Sequence, residues 1–238
     1  MLRIFLVSLL TIILFTVFVS LGTWQLQRRA WKLDLISRVE AQLAKTPVAA
    51  PERDQWQRIG QQDAYLPVTI TGIYPDSGET LVQAMTALGS GYWVISPLQR
   101  DDGSFVLINR GFVDSAHRAP TSRPQPQQAE PVTIGGLLRL SEPGGRVLRP
   151  NRPAENRWYS RDVTAIGKVL KLPVEDLAPY FIDANALTSA AAWPVGGLTV
   201  VKFRNTHLIY AITWYTLALL TLVATSIAVR KDNQTHAQ

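Results

Sequence analysis

Few residues in this chain can carry chemistry. Its 238 residues include three histidines, His117, His207 and His236, two methionines and no cysteine. Disulfides, thiolate metal sites, covalent C-x-x-C-H haem attachment and a cysteine nucleophile are therefore excluded, and any redox chemistry must come from a bound cofactor. The histidines lie far apart and Met1 and Met85 are the only thioethers, so zinc-like or copper-like ligand spacing is missing. Asp114, Ser115 and His117 fall together in VDSAHRAP. These are hydrolase residue types, but nearness in sequence is not triad geometry and no G-x-S-x-G elbow occurs. A polar loop has the same composition. Neither a P-loop nor a dinucleotide glycine fingerprint is present.

His207 has the more informative surroundings. It opens the stretch HLIYAITWY, and at 3.6 residues per turn His207, Tyr210, Ala211 and Trp214 fall on one side of a helix. An imidazole followed by aromatic walls around a small residue is a slot that a flat apolar macrocycle could enter, and haem iron takes an axial histidine. An interfacial histidine beside the aromatic residues that collect at headgroup level has the same pattern, so spacing alone leaves both readings open. Trp24, Gln25 and Arg28 end an apolar segment at the other end of the chain. If the two helices pair, these residues reach the depth of His207. Trp24 could then stack on a ring, and Arg28, with Arg29 or Arg204, could take carboxylates through charge-assisted bonds. Any anchor helix uses Trp and Arg at its boundary in the same way.

The elements that must position these residues are legible from charge. No charged residue occurs from Ile4 to Gln27, and Ile4 to Leu21 is almost wholly apolar. A helix of about 20 such residues crosses the ~30 Å hydrocarbon layer. The run is longer than a signal-peptide core and ends without an A-x-A site, which favours an uncleaved anchor. Leu208 to Val229 is a second uncharged stretch of spanning length, followed by Arg230 and Lys231. Two spans put both termini on one side of a membrane and the middle of the chain on the other. Basic residues flank the spans on both sides, so the Lys/Arg count leaves orientation open for a domain of this length.

The reading is therefore two transmembrane helices flanking one extramembrane α+β domain, a mostly antiparallel sheet or partial barrel. Its bounds are an N-terminal span in 1–27, a β-rich domain in 28–204, a C-terminal span in 205–230 and a tail in 231–238. Residues 24–43 read as a helix, with Leu26, Leu33, Ile36, Val39 and Leu43 at near-helical spacing. Period-two segments then predict strands at 66–74, 79–85, 91–98, 104–112, 131–140 and 196–203. Asp101-Asp102-Gly103 marks a tight hairpin between the third and fourth. Asp162 is a plausible N-cap for a short helix ending near Leu170. Residues 120–131 form a Pro/Gln-rich loop.

From Arg28 to Arg204 there are 21 basic and 17 acidic residues, a mild excess that is concentrated only at Arg146, Arg149, Arg152, Arg157 and Arg161. Such a cluster suits anionic lipid or a carboxylate-bearing partner, or it is simply a solvated face. No nucleic-acid module accompanies it, so nucleic acid is not an expected partner.

Several segments together, LGTWQLQRRAWKLDLI (21–36), GYWVISPL, VLINRGFV (106–113), the P-N-R-P…W-Y…D run of 150–162 and WPVGGLTV…NTHLIYAITWYTLA, resemble the surfeit locus protein 1 family of cytochrome c oxidase assembly factors. They span nearly the whole chain in the family's order. The resemblance implies a non-enzymatic, multi-pass protein of a bacterial inner membrane, with its domain periplasmic, or of the mitochondrial inner membrane. It further implies help in maturing subunit I of haem-copper oxidases, with haem a received or stabilised. Subunit I, membrane lipid and a haem a synthase are the implied partners. The family's W-Q-x-x-R falls on Trp24, Gln25 and Arg28. Its N-x-H-L-x-Y-A-x-T-W falls on Asn205, His207, Leu208, Tyr210, Ala211, Thr213 and Trp214, with His207 the candidate ligand of haem iron. Phe112 stands where the family's N-R-G-W carries tryptophan. No long Arg/Ser-rich leader precedes Ile4, which favours the bacterial alternative. A haem-free scaffold that holds subunit I through Arg146 to Arg161 is the competing expectation.

Overall fold

A computed structural model describes residues 2–124, 130–186, 193–199 and 205–235. The chain forms two compact units, one from residues 1–38 with 202–238 and one from residues 39–201.

The first unit is a pair of antiparallel helices, α1 (Leu2–Leu43), whose last five residues pass into the second unit, and α3 (His207–Thr235). No proline occurs before Pro47, so nothing interrupts backbone hydrogen bonding, and the apolar run and the charged helix after it fuse into one element. At 1.5 Å per residue its 42 residues reach about 63 Å, roughly twice the hydrocarbon thickness. Contacts between the helices fall at the alternating four-and-three spacing of a helical seam: His207, Ala211, Trp214 and Ala218 on α3 and Phe18, Gly22 and Gln25 on α1. Ala211, Ala218 and Gly22 are buried there because small residues let backbones approach. A Cβ on Gly22 would stand 2.9 Å from the Tyr215 ring. Away from the seam, large side chains such as Phe5, Ile12, Ile209 and Ile227 are exposed. A helix in a soluble core would bury them. Thr16, Thr23, Thr213, Thr216 and Thr221 return their hydroxyl protons to the carbonyl four residues back, as an apolar medium demands. Both helices are long and apolar enough to cross a membrane.

The second unit is a seven-stranded mixed sheet. Its strands are β1 (Val48–Ala49), β2 (Pro67–Gly72), β3 (Thr80–Thr86), β4 (Gly89–Gln99), β5 (Phe105–Val113), β6 (Val132–Leu140) and β9 (Leu177–Ala184), in the order β1-β2-β6-β9-β5-β4-β3. A separate hairpin pairs β7 (Gly145–Arg146) with β8 (Arg149–Pro150). The β1–β2 and β5–β9 pairs are parallel and the others antiparallel. The sheet stays open, within the sheet-or-partial-barrel expectation. Alternation along β5 divides the core: Val106 and Ile108 join Val68, Ile70, Leu138 and Ile182 on one face, while Leu107 joins Val82, Ile95, Trp158 and Phe181 on the other. The short α2 (Val163–Val169) covers the second face with Val163 and Ile166. Its start is set by Asp162, whose carboxylate accepts from the Ala165 N–H at 3.1 Å.

Five of the six expected strands form within a residue or two of their expected positions, and the Asp-Gly hairpin closes with Gly103 at φ +78°. The sixth, 196–203, differs. Residues 196–199 are not strand, and only Val195 bridges to Phe112, while 200–203 lie outside the described residues, as do Arg204, His236 and the 125–129 part of the Pro/Gln loop. Gly111 permits this bridge: at φ +135° it lets the Val195 backbone within 2.4 Å of where a Cβ would sit. Sequence patterning does not predict β9, buried on both faces at the centre of the sheet, nor the two-residue β1, β7 and β8.

Candidate functional site

Of the expected site residues, the structure brings Gln25 and His207 together across the helix seam. His207 Nδ1 lies 2.8 Å from Gln25 Oε1. With the amide oxygen accepting from Nδ1–H, the imidazole lone pair resides on Nε2, and no hydrogen bond among the described residues engages that nitrogen. His207 also begins α3, where Asn205 Oδ1 accepts from its backbone N–H at 3.4 Å and fixes the helix start. Two seam positions further on, Trp214 stacks on Phe18 at 5.8 Å between centroids. Two turns further along α1 and three along α3, Thr11 and Thr225 share a 2.6 Å hydrogen bond.

The other expected residues are not in this contact set. Trp24 and Tyr210 are exposed beside the seam, each about half open. Arg28 lies over the ring of Trp31, 4.3 Å from its centroid. Arg29 is half-buried and makes no ion pair among the described residues. The site thus consists of one held imidazole, a stacked indole at its inner side and exposed aromatic and cationic groups at its flank. Phe18, the partner of Trp214, and Tyr215, which packs on Gly22, were not anticipated; the 4-3 spacing of small and polar residues on both helices was the available signal.

In the domain, the largest polar constellation also escaped sequence reading. Asp183 on β9 is buried and accepts from Asn109 of β5 at 2.7 Å, Arg139 of β6 at 2.8 Å, Arg161 at 3.1 Å and Thr199 at 2.9 Å. Arg161 continues to Glu142 at 2.5 Å and Arg139 lies over Tyr65. Burial pushes the Glu142 carboxyl up, but the hydrogen bond and charge of Arg161 outweigh it and hold the group below its ordinary range. Arg161 is in turn raised: burial lowers it, and Asp183 and Glu142 more than reverse that. This network joins three strands and the segment that precedes α3 in the chain. Its carboxylates and guanidinium groups pair with one another across those strands, which suits it to holding the fold.

The arginine cluster divides. Arg161 belongs to that network, and Arg152 and Arg157 both pair with Glu155, at 3.4 and 3.2 Å. Arg146 and Arg149 have no carboxylate partner among the described residues, and both line an open groove of about 340 Å³. At the VDSAHRAP loop, Asp114 Oδ1 bonds His117 Nδ1 at 2.7 Å and the imidazole stacks on Trp193 at 4.3 Å. Asp114 is lowered below its ordinary range by hydrogen bonds from the His117 backbone and ring. Ser115 faces the arginine groove, and no hydrogen bond joins it to His117. The described residues contain no cluster of three or more metal-ligating side chains.

Two apolar end helices paired through a histidine–glutamine contact, on either side in the chain of an open-sheet domain knit by buried ion pairs, define a membrane-associated protein whose distinctive polar site lies on its helices. The model of the SURF1 family matches residues 12–219, and the chain belongs to that family. Surfeit locus protein 1 of Homo sapiens is 34% identical over 85% of this chain and 70% of its own length. The Xenopus tropicalis protein of the same name has the same identity, over 85% of this chain and 69% of its own. A SURF1-like protein of Monosiga brevicollis is 33% identical over 85% of this chain and 80% of its own. The resemblance read from the sequence motifs is thereby established.

Proposed function

We propose that the chain is a non-enzymatic assembly factor for haem-copper cytochrome c oxidase, and that its helix pair holds haem a through His207 while subunit I matures. Membership of the SURF1 family supports the oxidase role. The observation that carries the haem reading is the Gln25–His207 contact, because it ties up one imidazole nitrogen and leaves the other as a basic ligand.

The donor set fits a haem. An imidazole oriented through its Nδ1 suits iron, exposed Trp24 and Tyr210 offer flat apolar surface, and the Arg28 guanidinium is suited to a propionate. The bound group would supply the redox and ligand-exchange chemistry. The chain's own part is binding and orientation. Gln25 keeps the proton on Nδ1 and aims the ring. The close approach at Gly22 and Ala211 sets the helix spacing on which that hydrogen bond depends. Trp214, packed on Phe18, closes the seam below the imidazole and keeps it near the water boundary. In this reading the protein sits in a bacterial inner membrane, or the equivalent mitochondrial membrane, with its domain on the outer side where subunit I is completed.

The test is oxidase maturation in a strain carrying His207→Ala. Subunit I should accumulate with a reduced haem a content while the variant itself inserts normally. Full haem a loading would support a haem-free scaffold instead.

A further inference from the structure

The β7–β8 hairpin violates the usual preference for polar turns. Its two-residue tip is Val147-Leu148, exposed at 92% and 95%, and Leu148 holds φ +64°. With Gly145 opposite Pro150 and Arg146 opposite Arg149, Leu148 occupies the turn position that glycine or asparagine ordinarily fills. Two branched apolar residues thus stand in water at a strained tip, bracketed by Arg146 and Arg149. Nearby, Met85 lines the same groove as both arginines and is 72% exposed, and Leu88 in the following turn is 53% exposed. Tyr92 and Tyr159 line the groove, and Arg149 lies over Tyr159.

Three features separate this patch from a solvated charged face. Among the described residues its arginines lack the carboxylates that Arg152, Arg157 and Arg161 have. Its tip residues, Val147 and Leu148, protrude and do not line the groove beside them. And the domain is joined at both ends to helices able to cross a bilayer, which would tether it to a lipid surface. Apolar side chains flanked by guanidinium groups match a membrane interface, where the former enter the acyl boundary and the latter meet phosphate.

The geometry points to the β7–β8 hairpin as a membrane-surface anchor: Val147 and Leu148 enter the interfacial layer, and Arg146 and Arg149 bind the phosphates of anionic lipid headgroups. This rests on the end helices crossing a bilayer and is independent of haem. Its effect is to hold the domain against the membrane in a fixed attitude.

The absence of cysteine makes the test direct. Full-length protein carrying Leu148→Cys labelled with bimane is placed in vesicles of phosphatidylcholine alone or with 30% phosphatidylglycerol, with Glu175→Cys as an exposed reference. Flotation with the vesicles confirms that the helices are inserted. The expected result is a blue shift and quenching by brominated lipid at position 148 but not at 175, stronger with phosphatidylglycerol. Arg146→Glu with Arg149→Glu should weaken insertion at least twentyfold, about fivefold for each arginine lost. A probe at 148 that stays wet in floated vesicles overturns the anchor while leaving the spans intact. Protein that fails to float overturns both. A probe that becomes dry only when oxidase subunits are added assigns the patch to a protein partner and rejects lipid.

Discussion

Replacing Asp183 by alanine tests whether the buried network holds the domain. The carboxylate side chain is 2% exposed and faces Arg139 and Arg161, whose side chains are 17% and 14% exposed. Removing it strands two largely buried guanidinium groups and cancels the hydrogen bonds it accepts from four residues. Arg161 keeps Glu142, whereas Arg139 retains only a 3.8 Å approach to that residue. Breaking one partner of a buried ion pair typically costs about 3–5 kcal/mol. For a domain of this size each kcal/mol lowers the midpoint by about 2–4 °C, so a fall of about 12 °C is expected. The assay is thermal unfolding of the full chain in mild detergent, followed by near-ultraviolet circular dichroism of the fully buried Trp158. Asp183→Leu combined with Arg139→Met should recover part of the loss, because it removes a stranded charge as well as its partner. A midpoint within 2 °C of the parent for Asp183→Ala, or strict additivity in the double variant, would refute the assignment.

Further outcomes follow from the same contacts. Gly22→Leu overpacks the seam against Tyr215 and should weaken helix pairing by about 1–3 kcal/mol, seen as lost cross-linking between cysteines placed at Thr11 and Thr225. Glu142 titrates lower in the folded chain than in the unfolded one, so its pairing with Arg161 stabilises the domain above the carboxylate range. That contribution is lost as pH falls from the ordinary glutamate range through the lower folded-state value, and denaturant midpoints should show a shallower acid limb in Glu142→Gln. Asp162→Ala removes the α2 cap and should cost about 1 kcal/mol in the same unfolding experiment.

What the sequence disclosed followed physical locality. Apolar runs free of charge marked both end helices, alternation marked five strands, and Asp162 and Gly103 marked a helix start and a turn, because each signal lies within a few residues of the structure it dictates. β9 was illegible: LAPYFIDA is buried on both faces, so it lacks alternation, and it contains Pro179. The reverse error occurred at 196–199, where Gly196 and Gly197 fit against other backbone instead of extending a strand. The candidate site was half legible. Matching the ends of two helices named Gln25 and His207, but which neighbours lie on the seam depends on how the helices rotate against one another, and this turned Tyr210 outward and put Phe18 on Trp214. The Asp183 network draws on residues up to 90 positions apart, beyond any local pattern.

The central claim is that His207, oriented by Gln25, is an iron ligand. Its most direct test is the absorbance spectrum of full-length protein purified from cells that make haem a, beside His207→Ala and Gln25→Leu. The account predicts a Soret band in the parent, its loss in His207→Ala, and a weakened or shifted band in Gln25→Leu, where the imidazole remains but its proton is no longer held. A full, unshifted band in His207→Ala would contradict it.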